Sequence, residues 1–464
     1  MKKKRTSVIL LISPIGGYWG EIMSYFIKNK KDIISIFQLA MPVIIENILQ
    51  TFLGTVDTYF AGSINDNAIA AIGVTNLIVN VFIAFYMAIS IGTSTVVSIN
   101  FGKKDFDKTN SAIKQSVLLG IFISLVIGGI SLIFYKPILK ISGASDAVLY
   151  YAIPYYMVVV VPSVLICLSL ILSSCLRAVK DTKIPMISTG FANIINIILG
   201  FIFIKFGFGI IGLGLATTIS RIIGVFILIK RLRRGKNSVS LDFKNFFRNR
   251  EDLKSILKIG VPAGIEKLIM RLGQLLYNSM IISMGVFSYV AHNIAGNVEG
   301  YSYIPAMGFG VAAATFVGIN IGKNNIKKGR RLAFLSEFIT TFFMVIIGII
   351  FFAFAPKLAG LFTKTAEIQE LVVKVLRLIA LFQPFAAMTQ VFTSALQGAG
   401  DTKFPMYATL IGIWGSRIGI GYLLGVICGL GLFGVWIGYA LDITIRGILL
   451  LIRFLNGKWE KIVI

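Results

Sequence analysis

Runs of about twenty apolar residues, the length a bilayer-spanning helix needs, alternate with short polar breaks from Ile33 to Phe454. Twelve segments fit, centred near Leu49, Phe82, Leu125, Val160, Asn196, Gly224, Leu272, Pro305, Met344, Ala387, Arg417 and Ile443. The breaks leave no room for a soluble domain. The pattern predicts an all-α membrane protein. Composition agrees, with 56% hydrophobic residues, 14% charged residues and a mean hydropathy of +0.85, too apolar for a soluble surface.

The net charge of +25 would suit a nucleic-acid binder if the basic residues gathered on one folded face. They fall instead in alternate loops. Counted from a cytoplasmic N-terminus, the inside segments hold 32 of the 45 Lys and Arg, whereas the opposite loops hold five: Lys136, Lys140, Lys205, Lys357 and Lys364. That bias is the positive-inside rule. It predicts both termini in the cytoplasm, an even number of spans, and the cytoplasmic (inner) membrane as location, with lipid and small molecules rather than nucleic acid as partners. Cys167, Cys175 and Cys428 have no metal-ligand spacing and read as packing residues. The MKKKR start resembles a signal peptide, but Pro14, Gly16 and Gly17 interrupt the apolar run, so a cytoplasmic extension is expected, and Met23 offers a second start for the same fold.

A shift of 220 residues superposes landmarks along the chain. Pro42 meets Pro262 and Glu46 meets Glu266; INFGKK at Asn100 meets INIGKN at Asn320; DTKIPM from Asp181 meets DTKFPM from Asp401. Each half therefore holds six helices in the same orientation, a parallel repeat with a transport cleft expected between two bundles. The expected division is an extension over 1–32, a bundle over 33–232, a basic linker over 233–252, a second bundle over 253–455 and a tail over 456–464. Phe243, Phe246 and Phe247 in the linker allow an amphipathic surface helix, with a solvated linker as the alternative. Asp181 and Asp401, just before Pro185 and Pro405, are expected to cap the next helix.

LAMPVIIENILQTFLGTVDTYFAG, LRAVKDTKIPM, AHNIAGNVEGYSYIPAMGFGVAAATFVGINIG, LQGAGDTKFPM and the C-terminal GVWIGYALDITIRGILLLIRFLNGKW together resemble the multidrug and toxic-compound extrusion (MATE) family, in its bacterial DinF-like branch. The resemblance spans Phe37 to Trp459. It implies two six-helix bundles in a V, alternating access, no cofactor, and export of organic cations or other amphipathic compounds in exchange for H⁺ or Na⁺. A monomer is expected to suffice. A lipid-linked saccharide flippase of the wider superfamily is the alternative, although such relatives typically carry extra helices or a strongly cationic cavity.

Ionisable groups inside lipid are costly, so each calls for a partner, water or a function. Asp57 lies late in the first segment with no basic residue within a turn on its own helix, and its repeat position is Tyr277. That broken symmetry favours a proton or Na⁺ site over packing; an outer helix end reaching solvent is the structural alternative. The resemblance places Asn196 and Thr218 beside Asp57, with Tyr155 lining the cavity; where such members often carry a second aspartate, this chain has Gly200. The candidates for substrate contact are Gln50, Tyr155, Glu266 and Gln383, the last seven residues from Gln390. Glu46 and Glu266, each four residues after a proline, also read as a structural pair. Arg417, Asp442 and Arg446, with Glu299, predict an ion network of the second bundle, the spacing of Asp442 and Arg446 being that of one helix face; a second cation or substrate site is the alternative. Scattered acids and the single His292 give no cluster for an enzyme.

Overall fold

The computed structural model describes residues 30–235, 239–241 and 250–462. The extension before Lys30 and most of the linker, with Phe243, Phe246 and Phe247, lie outside the described residues. The first half contains α1 (Lys30–Gly62), α2 (Asp66–Lys103), α3 (Phe106–Ile133), the short α4 (Tyr135–Ile141), α5 (Asp146–Val159), α6 (Val164–Ala178), α7 (Lys183–Lys205) and α8 (Gly209–Arg233). The second contains α9 (Arg250–Ile282), α10 (Val286–Gly322), α11 (Ile326–Phe362), α12 (Ala366–Gly398), α13 (Lys403–Leu410), which continues as π-helix over Ile411–Ile420 and Leu423–Ile427, and α14 (Gly431–Leu455). Ten of these spans are long and apolar enough to cross a bilayer unaided.

The fourth segment is broken: α5 and α6 meet at a bend of 48°. Pro162 has no N–H to give the helix, and Ser163 ties the break down by donating to the Ser124 carbonyl at 3.3 Å and accepting from the Tyr86 hydroxyl at 2.8 Å. The pair makes the eleventh span. The twelfth, α9, has 33 residues, but Lys258, Glu266, Lys267 and Arg271 dilute its apolar run.

The repeat is written into the backbone. Left-handed residues recur at Lys104 and Asn324, at Lys180 and Gly400, at Gly207 and Gly429, and at Gly209 and Gly431. Asp105 and Asn325 accept from the amides of Lys108 and Lys328 as matching N-caps. Between the second and third of those pairs the offset has grown from 220 to 222, and the surplus lies within the π-helical stretch.

Asp181 and Asp401 do not cap their helices, whose N-cap positions are Thr182 and Thr402 without a side-chain bond. Asp181 accepts instead from Arg231 Nε of α8 at 2.7 Å, and Asp401 from Arg453 Nε of α14 at 2.7 Å. A guanidinium offers an ionised carboxylate a stronger bond than a backbone amide does. Each DTK turn is thereby fastened to the last helix of its own bundle.

The two bundles meet along the halves of their helices that lead to the basic loops. Small residues make the contact, as lipid-embedded helices require. A Cβ on Gly322 would run into the Ile99 carbonyl oxygen, and one on Gly102 into that of Ile319; so α2 and α10 cross backbone to backbone at equivalent glycines. Gly260 of α9 lies against the Ala88 carbonyl of α2, and Gly308 of α10 against that of Ala40 of α1. Toward the opposite ends the bundles part around a cavity of about 860 Å³, lined by Thr51, Thr55, Thr58 and Tyr59 of α1 and by Asn297 and Tyr301 of α10.

Candidate functional site

Three polar regions stand out. In the first bundle, Asp57 is half-buried on α1, and none of the ion pairs among the described residues includes it. Arg221 of α8, which sequence spacing did not reveal, is near enough for its charge to act on both Asp57 and the buried Tyr155. Its Nη1 donates to the Val159 carbonyl at 3.4 Å, which leaves Arg221 between a main-chain acceptor and an acid. Asn196 of α7 donates to Thr217 Oγ1 at 3.1 Å, and Tyr155 also reaches Thr217. Thr218 points elsewhere, donating to the Val158 carbonyl of α5 at 2.7 Å. One residue along a helix turns a side chain by about 100°, so Thr217, not Thr218, accompanies Asn196. Gly200 is buried under Phe60, whose ring atoms would stand 3.1 and 3.2 Å from an added Cβ; an acid at that position would need the ring to move.

The second region is a cavity of about 230 Å³ between the bundles, nearer the basic end. Glu266, Lys267, Arg177 and Arg446 contribute charge; Met87, Met270 and Met307 contribute apolar wall; Asn47 and Gln390 add amides. Glu266 accepts from Gln397 Nε2 at 2.9 Å, and Lys267 Nζ is 3.9 Å from its other oxygen. Glu46, the repeat partner, accepts from Arg177 at 2.6 Å and from Thr189 at 3.3 Å. Arg177 and Gln397 are themselves 220 residues apart, a correspondence that the sequence offset could have revealed. Gln50 is exposed and lines neither cavity. Gln383 is fully buried with both amide atoms unpartnered, so it does not line the cleft; its neighbour Gln390 does.

The third region lies in the second bundle. Asp442 is fully buried and receives Arg446 Nε at 2.6 Å, Arg446 Nη2 at 3.0 Å and Arg417 Nε at 2.8 Å. Gly412, in the π-helical stretch, lets this happen, because a Cβ there would strike the Asp442 carboxylate. Glu299 joins through Tyr439, whose hydroxyl donates to it at 2.6 Å, and Arg417 stacks over the Tyr439 ring at 4.2 Å. Tyr277, the counterpart of Asp57, packs against His292 beside this group. Among the described residues no three His, Cys, Asp or Glu side chains cluster as a metal site.

Two six-helix bundles with a cleft between them, sealed at one end, define a membrane transporter. The MatE family model matches residues 42–202 and 262–423, once in each half. A probable multidrug resistance protein NorM of Thermotoga maritima is 32% identical over 439 residues, covering 92% of this chain and 93% of that one. The multidrug export protein MepA of Staphylococcus aureus is 26% identical, covering 89% and 91%. Among solved structures, a MATE protein in a bent conformation superposes with a TM-score of 0.86 at 23% identity, over 92% of this chain and 95% of that one. An outward-facing multidrug resistance MATE family transporter gives 0.84 at 24% identity, over 91% and 94%. The chain belongs to the MATE family. It is a multi-pass membrane transporter and not an enzyme.

Proposed function

We propose that the protein is a secondary active exporter, an antiporter that expels amphipathic compounds, organic cations among them, in exchange for H⁺ by alternating access. The cleft carries this reading: it is sealed where the basic loops lie and open at the opposite end. Basic loops belong on the cytoplasmic face, so this arrangement is the outward-facing form, in the cytoplasmic membrane, with both termini inside and the basic stretch 233–252 joining the two bundles. Relatives named for multidrug resistance and export support the substrate class. The methionines of the central cavity suit it too, since flexible thioethers repack around unlike ligands. One copy of the chain contains every residue invoked.

Asp57 is the coupling residue in this reading. A hard cation seeks several oxygen ligands, whereas this pocket offers one carboxylate, with Phe60 over Gly200 and the charge of Arg221 nearby. Proton exchange needs one carboxyl group only. When the proton leaves, Asp57 and Arg221 attract; when it binds, that attraction ends and the helices carrying them, α1 and α8, lose a tie. Asn196, Tyr155 and Thr217 complete the polar wall, Glu266 and Gln390 face the substrate, and the Asp442 network holds the second bundle together. Efflux from proteoliposomes tests the assignment. A pH gradient without Na⁺ is expected to drive it. Transport driven only by a Na⁺ gradient at uniform pH would exclude proton coupling, and transport under neither gradient would exclude the antiporter.

A further inference from the structure

The sealed end of the cleft is built twice. Thr95 of α2 donates across the bundle boundary to the Gln397 carbonyl of α12 at 2.8 Å, and Thr315 of α10 donates back to the Arg177 carbonyl of α6 at 3.4 Å. The two threonines are 220 residues apart, as are the two acceptors. Further toward the basic loops come the crossing glycines Gly102 and Gly322. Beyond these, Lys328 of α11 pairs with Asp32 of α1 at 3.5 Å. Its counterpart acid, Asp252 of α9, accepts from Ser111 of α3 at 2.5 Å and feels the charge of Lys108. Every layer of the seal joins one bundle to the other, and every layer occurs in both directions.

The acceptor residues are not arbitrary. Arg177 and Gln397 are the residues whose side chains hold Glu46 and Glu266, and both line the central cavity. In each half, therefore, an acid on the first helix grips the end of the fourth span, and the main chain at that same residue receives a hydroxyl from the other bundle. Thr95 has a second acceptor, the Ile91 carbonyl of its own helix at 3.0 Å. When the bundles separate, its donor is not orphaned, so the bond opens at less than the cost of a buried unsatisfied group.

We propose that Thr95 and Thr315 form a two-fold repeated latch, and that Gln397 transmits the state of the cavity acid Glu266 to it. This rests on the alternating access proposed above. Glu266, drawn away by a ligand in the cavity, frees the Gln397 side chain, loosens the end of α12 and so weakens the carbonyl's hold on Thr95. Arg177 and Glu46 do the same for Thr315. Gln397 and Arg177 are positioning residues in this scheme.

Ser98, buried against Gly318 inside the seal, serves as reporter. In a Cys428→Ser background, S98C is labelled with an impermeant maleimide from the face that carries the basic loops, in inside-out vesicles. Thr95→Val is expected to raise the labelling rate about two- to five-fold, the range one hydrogen bond of up to about 1 kcal/mol gives. Thr315→Val, removing the longer bond, is expected to raise it about two-fold, and Thr95→Ser to leave it at the parent rate. Glu266→Ala should raise labelling as well, and its combination with Thr95→Val should fall short of the product of the two effects, because both act through residue 397. Unchanged labelling in both valine variants would overturn the latch, and a full product would overturn the transmission through Gln397. A reporter that never reacts from that face, even under an imposed pH gradient, would remove alternating access and the latch with it. Reaction under the gradient that ignores the threonine variants would remove the latch alone.

Discussion

The two bundles share a backbone and divide their charges differently. In the first, the half-buried Asp57 faces Arg221 without an ion pair, beside a hydrogen-bonded trio of Tyr155, Thr217 and Asn196. In the second, Asp442 is saturated by two guanidiniums, Glu299 accepts from Tyr439, and the place of Asp57 is taken by Tyr277. A carboxylate with every acceptor site filled has nothing left to exchange. One lacking a direct partner can bind and release an ion. The same scaffold occurs twice, and in the function proposed above the difference in pairing gives holding to one copy and exchange to the other.

The largest effect expected from this contrast is at Asp57. Asp57→Asn should lower transport at least ten-fold while leaving insertion intact, whereas Tyr277→Phe at the repeat position should keep most activity; substrate accumulation in everted vesicles, normalised to membrane protein level, measures both. If the two variants behaved alike, the division of labour would fail. Next comes Asp442→Asn, which leaves two buried cations facing a neutral amide. Removing one partner of a buried pair costs about 3–5 kcal/mol, so the thermal midpoint in detergent should fall sharply, and residual activity should track the folded fraction. A stable but inactive Asp442→Asn protein would move the exchange site into the second bundle.

These residues were unequally legible in the sequence. The twelve spans follow from the length of apolar runs, the repeat from a constant offset of 220, and the pairing of Asp442 with Arg446 from the period of one helix, all of which one chain displays. Arg221 beside Asp57, Arg177 on Glu46 and Gln397 on Glu266 are contacts between helices, set by rotations of about 100° per residue that hydropathy does not resolve. The same rotation separates Thr217 from Thr218 and sends Gln383 into the bundle while Gln390 meets the cavity. The DTK turns went astray for another reason: helix capping is a local rule, and a distant arginine outbid it.

Asp181→Asn and Asp401→Asn should sharpen the comparison by agreeing. Both remove a partly buried carboxylate–arginine bond that the two halves share, so each should destabilise by a similar amount, about 1–2 kcal/mol, read as equal shifts in chemical-denaturation midpoint. Unequal shifts would mean that the bundles differ in stability at their common scaffold and not only at their charges. The smallest effect belongs to Gly200→Ala. Its methyl must displace Phe60 by a few tenths of an ångström, at about 1 kcal/mol, with efflux largely kept. Severe loss of transport without loss of stability would show that the space under Phe60 belongs to the ion's path.

The π-helical stretch between Ile411 and Ile427 bears on how such a chain can change length. Lys183–Lys205 has 23 residues and its counterpart Lys403–Ile427 has 25, yet the turns on either side, the DTK turn and the paired left-handed glycines, are the same in both halves. Two extra residues inside a membrane span would ordinarily push one flanking loop out of register with its interface. Here the coil has widened, with hydrogen bonds reaching one residue further along, and the same turns close both ends. The widened coil also brings the backbone at Gly412 onto Asp442. Two more residues are thus accommodated as a change of winding, and the Asp442 carboxylate fills the room where a side chain at residue 412 would stand.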